Sequence, residues 1–146
     1  MATYSFLDIT ATMAGPTGVI DLGAGSANSD DGISVAMSGP KSAMNIGVDG
    51  EGVHVLSANK SGTVTISLQQ TSPVNKKLSL AYNAQSLSST LWGNNVIVIR
   101  NAASGDVITA RGCAFQKQPT WSSVNTAGKV EWVFDCIKID QVLGEF

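Results

Sequence analysis

Charge is scarce in this sequence, and so are the side chains that usually carry chemistry. Only 14% of the 146 residues are charged, against roughly a quarter in an average soluble protein. The surface must therefore be built mostly from Ser, Thr, Asn, Gln and Gly. Nine Lys and Arg stand against eleven Asp and Glu, a net charge of -2. That leaves no basic footprint for reading nucleic-acid sequence. Weak charging also removes repulsion that keeps proteins apart, so self-association is permitted.

His54 is the single histidine, and Cys113 and Cys136 are the two cysteines. Such a set makes neither a zinc cluster nor a disulfide framework, and the thiols read as small buried hydrophobes. No Gly-x-Ser-x-Gly elbow surrounds a serine, so a Ser-His-Asp hydrolase has no support and no catalytic residue is assigned. Gly39-Pro40-Lys41-Ser42 lacks the glycine that a phosphate loop places before its lysine. Asp49 and Glu51 offer two carboxylates where calcium takes about six to eight oxygens. Asp49-Gly50 reads as a hairpin turn instead, and Asp30-Asp31 as a loop. No cofactor and no metal is expected. No stretch reaches the roughly 18 apolar residues of a membrane helix, and Met1 to Ser5 lacks the features of a signal peptide. The expectation is a protein kept in the cytoplasm, away from membranes.

The clearest pattern that is present lies between Ser61 and Ser89. Val64, Ile66 and Leu68 alternate with Thr63, Thr65, Ser67 and Gln69, which is the period of a half-buried strand. Ser72 is placed to cap a helix, and Pro73 suits its first position because the missing donor is not needed there. Val74, Leu78, Ala81 and Tyr82 form an apolar stripe, widened by Leu80, Ala84 and Leu87, so one helix is expected over about residues 73–89.

Strands dominate elsewhere. Tyr4 to Met13 alternates with an irregularity near Leu7, and Val19 to Leu22 is its expected partner across a Gly-Pro turn. Residues 23–32 read as a surface loop. Alternation resumes at Ile33, Val35 and Met37, then at Met44, Ile46 and Val48, then at Val53 and Val55. Val96 to Ile99 is a continuous apolar run, as in a strand covered on both faces. In the next strand Val107, Thr109, Arg111, Cys113 and Phe115 are expected to share a face. In the last, Val130, Trp132, Phe134 and Cys136 oppose Glu131, Val133, Asp135, Ile137 and Ile139. The fold class is mainly β: a β-sandwich or small barrel with one flanking helix, in a single domain over residues 1–146.

Several stretches resemble one group of bacteriophage structural proteins. They are Tyr4-Ser5-Phe6-Leu7-Asp8, Gly18 to Gly23, Lys60 to Thr65, Thr71 to Asn75, Ala81 to Gln85, Leu91-Trp92-Gly93, Phe115 to Pro119, Glu131-Trp132 and Ile137 to Asp140. Together they span almost the whole chain. The group is that of the tail tube proteins of contractile-tailed, myovirus-like phages. The resemblance implies a structural virion protein of the tail, assembled in the host cytoplasm, in which six copies close a ring and rings stack into a hollow tube. It implies as partners the protein itself, a sheath protein, a tape measure protein and baseplate or tail terminator proteins, with DNA passing through the lumen unread. Thr63, Thr65, Ser67 and Gln69 are the candidate lumen residues, since uncharged walls let phosphates slide where lysines would hold them; the alternative is that they simply face solvent. The candidate inter-ring arm lies within Ser38 to Lys60 and includes Lys41, Met44, Ile46, Val48, Asp49, Glu51, Val53 and His54. Its two short strands would be marginal as an isolated hairpin, so they need a surface to lie on, either the chain's own sandwich or a neighbouring subunit.

Two other readings stand beside this one. A tube-like terminator or completion protein would share the pattern. A monomeric β-sandwich binding module, for carbohydrate, would use Trp92, Trp121 or Trp132 as a stacking platform. A binding module should elute as a monomer and a tube protein as rings or polymers.

Overall fold

The structure is a computed structural model and describes residues 2–146. After a 3-10 turn at Phe6–Asp8 come β1 (Ile9–Gly15), β2 (Gly18–Asp21), β3 (Asn28–Met37), β4 (Ser42–Ile46), β5 (Gly52–Leu56) and β6 (Gly62–Gln69). The helix α1 (Val74–Gln85) follows, then β7 (Asn95–Asn101), β8 (Asp106–Phe115) and β9 (Lys129–Val142). Seven strands form one antiparallel sheet in the order β2-β1-β7-β8-β9-β6-β3, while β4 and β5 pair only with each other. The sheet curls into a half-barrel, nearer to the barrel than to two flat layers packed face to face.

The core fills the inside of the curl. β6 contributes Val64, Ile66 and Leu68, β9 contributes Trp132, Phe134 and Cys136, and β7 contributes Ile97 and Ile99, all buried. Val74, Leu78, Ala81 and Gln85 form the buried face of α1, spaced so that each lies one turn above the last. Phe115 stands at the meeting point of sheet and helix. Its ring meets Phe134 at 4.8 Å, Tyr82 edge-on at 5.5 Å and Trp132 at 5.8 Å, the separations at which ring edges and faces attract.

Several sequence expectations are corrected. The helix stops at Gln85 instead of Ser89, because the chain from Ser86 onward turns back on itself: Leu87 N–H donates to Ala84 O and Ser88 N–H to Gln85 O. Leu87 thus lies beyond the helix and Leu80 on the helix's solvent side; both are exposed and neither widens the buried stripe. The expected loop at residues 23–32 is shorter, since β3 begins at Asn28. Asn28 pairs with Leu68 and Ile33 with Ile66, so residues 29–32 bulge out opposite Ser67 alone. Polar residues in a bulge show no period, which is why the strand start was hidden. The first strand begins at Ile9, beyond the 3-10 turn that occupies the irregular region near Leu7.

The alternation in β8 also breaks. Cys113 and Phe115 face the core, but so does Ala110, whereas Arg111 is exposed. Gly112 lies between them at φ +62, a conformation that reverses side-chain parity and suits glycine. β9 shifts in step: Trp132, Phe134 and Cys136 are buried, then Ile139, while Ile137 and Lys138 are both exposed. Ile139 thus joins the core, opposite to the side its spacing suggested.

Candidate assembly surfaces

The β4–β5 hairpin is exposed along its whole length. Its strands pair from Ser42↔Leu56 to Ile46↔Gly52, and all ten strand residues are exposed. Met44, Ile46, Val48, Val53, Val55 and Leu56 display apolar surface there. Met44 and His54 are opposed across the pair, as are Asn45 and Val53, so apolar groups lie on both faces of the ribbon. At its tip Gly47 N–H donates to Glu51 O at 2.7 Å and Glu51 N–H to Asp49 Oδ1 at 3.2 Å. Asp49 thereby works as a turn residue.

The root of this arm is ordered by polar contacts. Ser57 N–H donates to Lys41 O at 2.8 Å and Ser38 N–H to Ser61 O at 3.0 Å. Asn59 Oδ1 accepts from both Ser61 N–H and Ser61 Oγ, and Lys60 pairs with Asp140 at 3.2 Å. The arm is thus held in direction although its blade is bare. Lys41, Met44, Ile46, Val48, Asp49, Glu51, Val53 and His54 all lie on this one exposed element or at its root.

The second candidate surface is the outer face of β3, β6 and β9. Thr63 sits between Ala36 and Asp135, and Thr65 between Ser34 and Val133; both threonines are half-buried and Gln69 is exposed. Ser67 departs from the expectation, being only 2% exposed, because the β3 bulge lies over it. Beside it Lys129 pairs with Asp31 and, at 3.2 Å, with Glu131. Charge is unevenly spread over the outer face. Glu131 and Asp135 flank the threonines, whereas Arg111 and Lys138 face each other directly across β8 and β9.

The helix start is tied down by a serine. Ser72 Oγ accepts from Val74 N–H at 3.3 Å and donates to Ser26 O at 2.6 Å, and Pro73 already has helical angles (φ -68, ψ -17). Ser72 therefore fixes both α1 and the loop after β2.

Sequence reasoning missed the pairing of Gln85 with Asn95. The signal was present: Gln85 continues the buried series 74, 78, 81, where an apolar residue was due, and a polar side chain there requires a partner. Of the three tryptophans, Trp132 is buried with Nε1 donating to Asn75 Oδ1 at 3.0 Å. Trp92 packs edge-on against Tyr82 at 5.8 Å. Trp121 is 84% exposed, so of these three it is the one whose ring is open to a stacking partner.

A curled antiparallel sheet, one helix packed against it and a separate two-stranded arm together define a mainly-β, tail tube-like fold. The profile of the bacteriophage PhiTE tail tube protein family matches residues 1–144, and the chain belongs to that family. It is accordingly a tail tube-like structural protein. No curated protein sequence matches it. Solved structures share the fold. One is the sheath-tube complex of an extracellular contractile injection system, PVC, in its extended state (TM-score 0.60, 8% identity, 97% of this chain and 92% of that one). Another is the sheath/tube terminator of the same system (TM-score 0.61, 11% identity, 97% and 98%). A third is the baseplate of the anti-feeding prophage (TM-score 0.57, 12% identity, 97% of each chain).

Proposed function

We propose that this chain is the repeating subunit of a phage tail tube, with six copies closing a ring and the β4–β5 arm joining each ring to the next. The observation that carries the reading is the bare arm. A two-stranded ribbon is marginal in water, and this one exposes apolar groups on both faces. A surface supplied by another copy would bury them. Low charge fits a subunit whose surface is largely covered by its own copies. In this reading the outer face with Thr63, Thr65 and Gln69 lines the lumen, DNA passes without being held, and the role is mechanical rather than enzymatic. Sheath, tape measure and baseplate proteins are the partners of the assembled tube, which is built in the host cytoplasm and ends in the virion tail.

The likeness to a sheath/tube terminator favours one second reading, a terminator that forms a single ring and stops. Negative-stain microscopy of the purified chain separates the two. Stacked tubes with a central hole support the tube subunit, single rings support the terminator, and a monomer at high concentration, with sheath or initiator proteins present, rejects both. Replacing residues 43–55 by a short Gly-Ser linker tests the arm. The loop change itself costs little entropy, so the variant should melt cooperatively yet stop at single rings or monomers. Tubes of normal length from that variant would place stacking elsewhere.

A further inference from the structure

Cys113 on β8 and Cys136 on β9 are direct cross-strand partners. Both are free thiols, 0% and 3% exposed, and their sulfurs lie 2.8 Å apart. The hydrogen bond between them pushes Cys113 up, helped by burial, and pushes Cys136 down. Either sulfur can be the donor in this contact. Opposed residues of an antiparallel pair have Cα atoms roughly 4.5–5.5 Å apart, inside the roughly 4.4–6.8 Å that a disulfide spans. An S–S bond of about 2.05 Å would require the sulfurs to close by less than about 1 Å, within the reach of a small χ1 adjustment and without moving the strands.

We propose that Cys113 and Cys136 form a redox-switched staple, a dithiol under reducing conditions and an intrachain disulfide between β8 and β9 after exposure to a peroxide. The Cys136 sulfur, as thiolate, attacks one peroxide oxygen. The O–O bond breaks, Cys136 becomes a sulfenic acid, and the departing hydroxide takes up a proton as water. Cys113 then loses its proton and its sulfur attacks that of Cys136. The S–O bond breaks and a second water leaves. Two thiols have lost two electrons, and one peroxide has become two waters. A peroxide is close to water in size, so local opening of the sheet is enough to admit it. β8 and β9 lie in the middle of the strand order, so the bond would join the two halves of the curled sheet. It would also close the long loop between them, restricting the unfolded chain. None of this depends on the assembly reading.

The test treats the folded full chain with hydrogen peroxide, quenches it, and unfolds it in excess alkylating agent before measuring intact mass. The expected product has lost two hydrogens, carries no alkyl group and migrates as a monomer without reductant. Its melting temperature should rise by several degrees and return when dithiothreitol is added. Cys113→Ser, which keeps Cys136, should instead accumulate a sulfenic acid that a dimedone-type probe captures. Two alkylatable thiols after peroxide, a gain of oxygen at either sulfur in the wild-type chain, or disulfide-linked dimers would each overturn the proposal. So would a bridged product that melts lower than the dithiol.

Discussion

Gln85 and Asn95 exchange both of their amide hydrogen bonds. Gln85 Nε2 donates to Asn95 Oδ1 at 2.9 Å, and Asn95 Nδ2 donates to Gln85 Oε1 at 2.7 Å. Each amide nitrogen makes one more bond, Gln85 to Thr17 Oγ1 at 3.0 Å and Asn95 to Cys113 O at 3.1 Å. Both side chains are fully buried. One polar clip therefore fastens the end of α1 to the β1–β2 turn, to β7 and to β8. With every donor used, it fixes where the helix ends, whereas apolar contacts alone would let it slide.

Breaking that clip should be costly. Gln85→Leu preserves volume but strands the Asn95 amide in a dry interior, a loss of roughly 1–3 kcal/mol per unsatisfied group. Urea unfolding should show a lower midpoint with an unchanged slope. A double change, Gln85→Leu with Asn95→Leu, should cost less than the sum of the two single changes, because the single changes each leave a partner unpaired.

The cap gives a smaller effect with a clear sign. Ser72→Ala removes the acceptor for Val74 N–H and the donor to Ser26 O. The expected loss is about 0.5–2 kcal/mol, read by chemical denaturation of a soluble form. No change beyond error would mean that Ser72 is not the cap.

Gly112 tests the change of face in β8. An added Cβ would sit 3.1 Å from the Ile137 side chain, at φ +62. Gly112→Ala should cost roughly 1–2 kcal/mol from the left-handed backbone alone. If the thermal midpoint is unmoved, the strand has relaxed to plain alternation, which would turn Arg111 towards the core.

Much of the fold was legible because single-face burial writes itself into spacing. Val64, Ile66 and Leu68 are buried as their alternation indicated, and Val74, Leu78 and Ala81 as theirs did. Spacing failed where the backbone breaks its own period. The bulge opposite Ser67 hid four residues of β3 and buried a serine assigned to the open face, and Gly112 moved Ile139 to the other side of the sheet. The arm was legible as two short strands. That its strands are exposed along their whole length was not, since alternation reports a preference for burial without saying which surface provides it.

The outer face of β6 gives the most direct test of where DNA would pass. Ser67 is unsuitable for substitution because its burial would confound any charge effect. A lysine at Thr63 would face Asp135 across the strand pair and be neutralised there. Thr65 is directly opposed by the neutral Ser34 and Val133, with Glu131 and Asp135 a diagonal step away. In the proposed assembly, Thr65→Lys should leave tube formation intact and add one positive charge per subunit to this face, repeated around every ring. Each single contact with a phosphate is weak, but the repeat makes retention multivalent. Variant tubes should therefore retain linear DNA in low salt and release it steeply as salt rises, since every neutralised phosphate releases counterions. Wild-type tubes should retain less DNA than the variant at low salt. Intact variant tubes with wild-type DNA behaviour would place this face outside the lumen.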